Sequence, residues 1–286
     1  MKRIIIHGGC GAREDKNTSF EAYHNNLLPI IKEATAVLEK NNDAIESALL
    51  AAKLLEDNPI FNAGTGSRVQ EDGQIRMSAS YMDSKTNKFA GVINIQNVQY
   101  PSAAAYALHK QQHSIIASGC ATKFAHQELL IPPYNPLTES RWQEHLEFRR
   151  GQTGTVGIVA LDDSGTICAI TSTGGVGFET PGRVGDSPTV AGNYASKVMG
   201  ISCTGIGEEI INKALAAKIH TRVKDGMSLA DAIQRSIDES DVDGDYIGLI
   251  ALDQFGNICT GKTRVAQPLY ASYDGHEFKT FLSDLA

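Results

Sequence analysis

Between Gly154 and Glu208 the chain sets four clusters rich in hydroxyls and glycines: Gly154-Thr155-Val156-Gly157, Thr171-Ser172-Thr173-Gly174-Gly175, Gly182-Arg183-Val184-Gly185-Asp186 and Ser202-Cys203-Thr204-Gly205-Ile206-Gly207-Glu208. Residues 155–161 and 166–173 are β-branched, apolar runs separated by Asp162-Asp163-Ser164-Gly165, the signature of a hairpin. A two-residue loop at 163–164 or 164–165 sets position 155 opposite 172 to 174. Side chains alternate faces along a strand. Thr155 therefore shares a face with Thr171 or Thr173, within cross-strand reach. The competing reading is plain β-branched packing.

Paired hydroxyls at a glycine-rich strand end also make the inventory for acyl transfer. A threonine is nucleophile and base in one residue only if its own α-amine is free. The chain must then cut itself between Gly154 and Thr155. Gly154 permits a strained or left-handed backbone, which such a bond can use. Attack of the Thr155 hydroxyl on the Gly154 carbonyl gives an ester, and water resolves it. The released amine, with a reference pKa of about 7.7–8.0, can take the hydroxyl proton.

Arg183 and Asp186 lie in one glycine-containing loop. A guanidinium holds a carboxylate by two parallel hydrogen bonds, and a carboxylate holds an ammonium. Together they suit the zwitterionic head of an amino acid; the alternative is a surface ion pair. Thr204-Gly205-Ile206-Gly207 runs into an expected helix, where backbone N–H groups can stabilise an oxyanion. No Lys-Ser/Thr follows, and Glu208-Glu209 would repel a phosphate. Asn62, in a glycine-rich loop, is either a turn residue or an added donor. The eight histidines, His7 at a strand end among them, read as structural or solvated. No spacing marks a transition-metal site.

The remaining chain supplies a frame. Residues 3–7 read as a strand that turns at 8–11. Residues 19–40 and 43–57 read as helices capped by Ser19 and Asp43. Short strands are expected over 67–95, a helix from Pro101, a strand at 114–117 and a helical start at 122–128. Residues 130–153 lose all periodicity, with Pro132, Pro133, Pro136 and the single tryptophan, Trp142. Helices are expected at 208–223 and 228–238, and a hairpin joins 246–252 to 257–260. Strands before helices in each half suggest two sheets covered by helices. With no self-sufficient halves, residues 1–286 read as one domain. The net charge of −7 disfavours nucleic acid and anionic membranes as partners. The five scattered cysteines form no C-x-x-C pair, and no run approaches membrane-spanning length. The expected location is the cytoplasm.

Taken in this order, the four clusters resemble the plant-type L-asparaginase/isoaspartyl peptidase family of N-terminal-nucleophile hydrolases, which includes glycosylasparaginase and taspase. The likeness extends from Ile6-His7-Gly8-Gly9 through Phe61-Asn62-Ala63-Gly64 and Met82-Asp83 to Gly248-Leu249-Ile250-Ala251-Leu252-Asp253. It implies an α+β fold, a four-layer αββα sandwich. It implies an autoproteolysed precursor with an α subunit (1–154, its linker about 127–154) and a β subunit (155–286), assembled as a dimer of αβ heterodimers. By matching positions, Thr155 is the nucleophile and Thr173 assists it. Arg183 and Asp186 hold the substrate α-carboxylate and α-amine. Thr204 and Gly205 form the oxyanion hole, and Gly207 contacts the substrate. The backbone of Leu55, Glu56, Phe61, Ala63 and Thr65 resembles a loop that binds a structural sodium ion; no other cofactor is implied.

The implied reaction releases L-aspartate from β-aspartyl dipeptides and L-asparagine. A glycosylasparaginase is disfavoured by the lack of a secretory signal and by Gly174-Gly175. An uncleaved, non-catalytic binding paralogue is the third reading. Ser78 stands where the family often has an acidic residue, Cys10 where alanine is usual, and residues 261–266 match the family's usual stretch poorly.

Overall fold

The computed structural model of the chain describes residues 1–11, 19–148 and 154–285. In order, the described elements are β1 (Arg3–Gly11), α1 (Phe20–Asn41), α2 (Ala44–Asp57), β2 (Met77–Asp83), β3 (Phe89–Ile95), α3 (Pro101–Leu108), β4 (Ile115–Ala117), α4 (Ser118–Lys123) and α5 (Glu139–Leu146). Then come β5 (Val156–Leu161), β6 (Ile167–Thr173), β7 (Asn193–Ala195), β8 (Met199–Gly205), α6 (Gly207–Lys213), α7 (Leu215–Lys224), α8 (Leu229–Asp243), β9 (Ile247–Asp253), β10 (Ile258–Lys262), β11 (Gln267–Tyr273) and β12 (Phe278–Thr280). Eight strands form one sheet in the order β12-β11-β1-β5-β6-β2-β3-β4, and four form a second, β10-β9-β8-β7.

Helices α1, α2 and α3 cover the large sheet, and α7 and α8 cover the small one. The inner faces meet where β5 and β6 touch β8, and where β1 touches β9. The protein is thus an α+β fold, an αββα sandwich. No helix among the described residues is long and apolar enough to cross a membrane.

Local chemistry explains the helix starts. The Ser19 hydroxyl accepts the Ala22 N–H, and Asp43 accepts the N–H groups of Ile45 and Glu46. Each such cap contributes about 1 kcal/mol. Leu27, Ile31, Ala34 and Leu38 recur at three- and four-residue spacing and are buried against the sheet. Burying each of the larger ones is worth roughly 1.5–3 kcal/mol.

Alternation sorts the central strands. Val156, Ile158 and Ala160 of β5 face the helices; Gly157 and Val159 face the small sheet, where Gly157 meets Ser202 and Val159 meets Gly200. On β6, Ser172 reaches Glu56 of α2, whereas Thr171 reaches Ser202 of β8. The space between the sheets is therefore apolar toward Leu161 and Ile167, and hydroxyl-rich toward Thr155 and Thr173.

Several expectations are corrected. Residues 8–11 do not turn: β1 runs to Gly11, bulging between His7 and Cys10, and pairs with β11 there after leaving β5 at His7↔Gly157. Residues 67–76 form no strand. The β5–β6 loop has three residues, with Asp162 N–H on Thr166 O and Gly165 at φ +80°, so Val156 pairs with Ser172. The register falls between the two expected ones. Helix 208–223 is broken at Ala214, which is left-handed (φ 46°), into α6 and α7.

The segment expected to be a linker contains α5, which has few apolar residues and hence no visible periodicity. Thr138 caps it, and Arg141 Nε donates to Gly66 O at 2.7 Å. Residues 149–153 of that linker, and Ala286, lie outside the described residues.

Candidate active site

The mixed polar end of the sandwich opens into a cleft lined by Thr155, Thr173, Gly175, Val176, Arg183, Gly185, Asp186, Ser187, Gly205 and Gly207. The β5–β6 hairpin brings Thr155 to the level of Thr173, and the Thr155 hydroxyl donates to Thr173 Oγ1 at 3.2 Å. Thr173 Oγ1 also accepts the Gly175 N–H at 3.1 Å. An oxygen receiving two hydrogen bonds has its own proton directed elsewhere, so the Thr155 hydroxyl is polarised toward it. Thr171, the other expected partner, turns instead to Ser202 and Asn193. On β8, Thr204 shares the inward parity of Ser202. Its buried Oγ1 has no hydrogen-bond partner among the described residues.

Arg183 and Asp186 both reach the cleft, but not as a pair. The Arg183 guanidinium is held by Glu208, with Nε to Oε1 at 2.6 Å and Nη2 to Oε2 at 2.7 Å. Its Nη1 donates to Glu179 at 2.9 Å. Burial opposes the Arg183 charge, but its hydrogen bonds to Glu208 and the charges of both carboxylates outweigh it and raise its pKa. Asp186 is 3% exposed, and its Oδ2 has no hydrogen-bond partner among the described residues. Burial pushes the Asp186 carboxyl up to about 7, against its backbone hydrogen bonds and the Arg183 charge. A buried carboxylate whose charge is only partly offset suits a cationic ligand.

At Gly154 the need for glycine is steric. A Cβ there would stand 2.7 Å from Asn62 Cβ. Asn62 is no mere turn residue. Its Nδ2 donates to Gly175 O at 2.5 Å, its Oδ1 accepts the Arg68 N–H at 2.9 Å, and its own carbonyl accepts the Gly174 N–H at 2.8 Å. It thus ties the residues flanking Thr155 and Thr173 to one loop.

That loop is the expected sodium site. Of the five nominated carbonyls, Glu56 O accepts the Thr65 N–H at 2.7 Å. Phe61 O, with Pro59 O, closes on Gly66, where a Cβ would lie 2.9 Å and 2.5 Å from them. Backbone carbonyls are hard oxygen donors, the class that hard cations take.

A family model described as asparaginase matches residues 1–153 and 147–281. The chain belongs to this asparaginase family. It is 42% identical to the isoaspartyl peptidase/L-asparaginase of Synechocystis sp. over 280 residues, 91% of this chain and 84% of that one. It is 37% identical to the plant-type L-asparaginase of Pyrococcus horikoshii over 97% of this chain and 98% of that one. The Escherichia coli isoaspartyl peptidase is 36% identical over 89% of this chain and 88% of that one.

Within this asparaginase scaffold, sequence reasoning missed three contributors. Glu179 and Glu208 clamp Arg183, and only the fold brings Glu179 there. Glu208 was noted solely as a deterrent to phosphate. His7, read only as structural or solvated, is fully buried behind Thr155. Its signal was available: it follows three consecutive isoleucines on a core strand. Ser78 lies directly opposite Thr173 and accepts the Asn94 N–H at 3.1 Å, so the hydroxyl there serves the β2–β3 bulge.

Proposed function

We propose that this protein is an autoprocessed amidohydrolase that releases L-aspartate from β-aspartyl dipeptides and from L-asparagine. The observation that carries it is the Thr155–Thr173 hydroxyl pair at the mouth of a cleft holding one guanidinium and one carboxylate whose charge is only partly offset. The names of the relatives support the same substrate class.

In maturation the Thr155 hydroxyl, polarised by Thr173, attacks the Gly154 carbonyl. The amide nitrogen leaves as the Thr155 α-amine, and water hydrolyses the ester. In turnover that amine takes the hydroxyl proton while Oγ1 attacks the substrate β-carbonyl. The oxyanion falls to the Thr204 hydroxyl and the Gly205 N–H, where preorganised donors give the largest gain. The proton passes to the leaving amine, and water releases aspartate from the β-aspartyl ester. Asp186 holds the substrate ammonium, Arg183 its α-carboxylate, and Gly207 borders the same subsite. The five cysteines, none in a disulfide among the described residues, suit a reducing cytoplasm.

β-Asp-Leu, L-asparagine and N-acetylglucosaminyl-asparagine assayed side by side test the reading. Release of aspartate from neither of the first two overturns it, and the third alone marks a glycosylasparaginase.

Arg183→Ala is expected to raise KM about 10–100-fold with a smaller change in kcat. The substrate carboxylate displaces Glu208, so part of the gained interaction is lost again. An unchanged KM in steady-state kinetics removes the carboxylate role.

We also assign a sodium ion to the carbonyls of Leu55, Glu56, Phe61, Ala63 and Thr65. Thermal unfolding at equal ionic strength is expected at a higher Tm in sodium chloride than in choline chloride; equal values sink the assignment.

A further inference from the structure

β1 and β5 pair antiparallel as far as His7↔Gly157. Continued regularly, the ladder would set Gly9 opposite Thr155. It does not continue, because β1 bulges between His7 and Cys10, with Gly9 at φ +111°. The Gly9 N–H donates instead to His7 Nδ1 at 3.3 Å. Since Nδ1 accepts, the ring proton sits on Nε2. The single Nε2–H then faces two acceptors, Ser202 Oγ at 3.0 Å and the backbone carbonyl of Thr155. The imidazole has been inserted between the two groups that the bulge separated.

Room for it comes from Gly157. A Cβ at that position would overlap His7 Nε2 and Ser202 Oγ. Behind the ring a chain of hydrogen bonds crosses between the sheets. Ser202 Oγ lies 3.0 Å from His7 Nε2 and 2.6 Å from Thr171 Oγ1. Thr171 donates to Asn193 Oδ1 at 3.2 Å, and Asn193 Nδ2 donates to Ala169 O at 3.3 Å. His7 donates at one end and the Ala169 carbonyl can only accept at the other, so the Ser202 hydroxyl points at Thr171. The ring's place and tautomer are set from both sides.

We propose that His7 is a positioning residue: it bridges the Gly9 N–H and the Thr155 carbonyl, and so holds Thr155 in place before and after the chain is cut. The proposal rests on Thr155 being the nucleophile. Once its amide bond is broken, Thr155 stays attached only through its carbonyl, and regular β5 pairing begins one residue later, at Val156. Rotation of the 155–156 peptide plane about the Val156 N–Cα bond would swing Oγ1 away from Thr173. The bridge removes that freedom. Burial holds the ring at about 3, so it stays neutral and acts by hydrogen bonding rather than by proton transfer.

The test compares His7→Gln with His7→Leu. Glutamine offers an acceptor and a donor that can span the same gap; leucine fills the volume with neither. Maturation is followed by intact mass, and kcat is expressed per matured Thr155 N-terminus. His7→Leu is expected to cut mature kcat about 100-fold with KM unchanged, the cost of a small misplacement of a nucleophile. It also slows maturation by a similar factor. His7→Gln recovers at least tenfold of each, and its pH–rate profile superimposes on the wild type.

Equal mature kcat in His7→Leu and wild type, or kcat and KM moving together, overturns the assignment. Ser202→Ala leaves the bridge standing and is expected to cost less than tenfold; a loss matching His7→Leu places the effect in the inter-sheet chain and also overturns it. Maturation needs no added substrate. The bridge is therefore still judged by mass if the substrates proposed above are not hydrolysed.

Discussion

Thr155→Ala is expected to yield one intact chain indefinitely, with no measurable turnover of β-Asp-Leu or asparagine. In wild type, intact mass at neutral pH is expected to resolve two fragments dividing between Gly154 and Thr155, and native mass spectrometry to find them together as a dimer of αβ units. Both losses have one origin. The Thr155 hydroxyl donates to Thr173 and stands beside the peptide it would cut, with Gly154 pressed against Asn62. Removing the nucleophile of a catalytic set that acts as a unit costs about 10⁶ in kcat. Thr173→Ala leaves the nucleophile but removes the acceptor that polarises it, so slow cutting and a loss of about 10²–10³ are expected. A Thr155→Ala preparation that still splits at 154–155 would remove Thr155 as nucleophile. A wild-type chain that never splits, and hydrolyses nothing, would favour the uncleaved binding paralogue.

The hairpin that carries this pair was legible because its strands are apolar and its turn polar. Its register was not, because a three-residue loop with a left-handed Gly165 and a two-residue loop have the same residues available. The capped helices α1 and α2 were legible for a similar reason: cap and apolar stripe lie within one short window. What escaped depended on distant parts of the chain. β11 supplies the second neighbour of β1, and without it the Gly8-Gly9 segment reads as a turn. Glu179 reaches Arg183 only because the loop after Thr173 folds back, with Phe178 N–H on Val69 O and Glu179 accepting from Gln70. Arg183 and Asp186 were found together by spacing, yet their partners differ. Spacing tells which groups are near, and packing decides which charge is already answered.

That difference makes Asp186 the site of the second large effect. Asp186→Asn is expected to lower kcat/KM about 10²–10³-fold while raising the Tm of the ligand-free protein. The first effect follows from losing a buried charge partner for the substrate ammonium, a contact worth roughly 2–5 kcal/mol. The second follows from the direction of its pKa. The folded value, about 7, lies above the unfolded one, so folding favours the protonated carboxyl. The fold gains stability as pH falls from about 7 toward the unfolded value, and above 7 it bears the full cost of a buried charge. A neutral amide relieves that cost, by at most about 4 kcal/mol. At roughly 2–4 °C per kcal/mol for a chain somewhat smaller than this one, differential scanning calorimetry at pH 8 is expected to show a rise of several degrees.

Ligand binding carries the opposite sign. An ammonium needs the ionised carboxylate, so L-aspartate binding to the mature enzyme is expected to weaken about tenfold per pH unit below 7. Succinate, which lacks the amine, shows no such loss, and this separates Asp186 from the Thr155 amine titrating nearby. A variant that loses activity and Tm together would mean that Asp186 supports the fold. A parallel decline of aspartate and succinate below pH 7 would assign the titration to another group. If activity falls as Tm rises, the buried carboxylate is a cost to the free protein that substrate binding offsets.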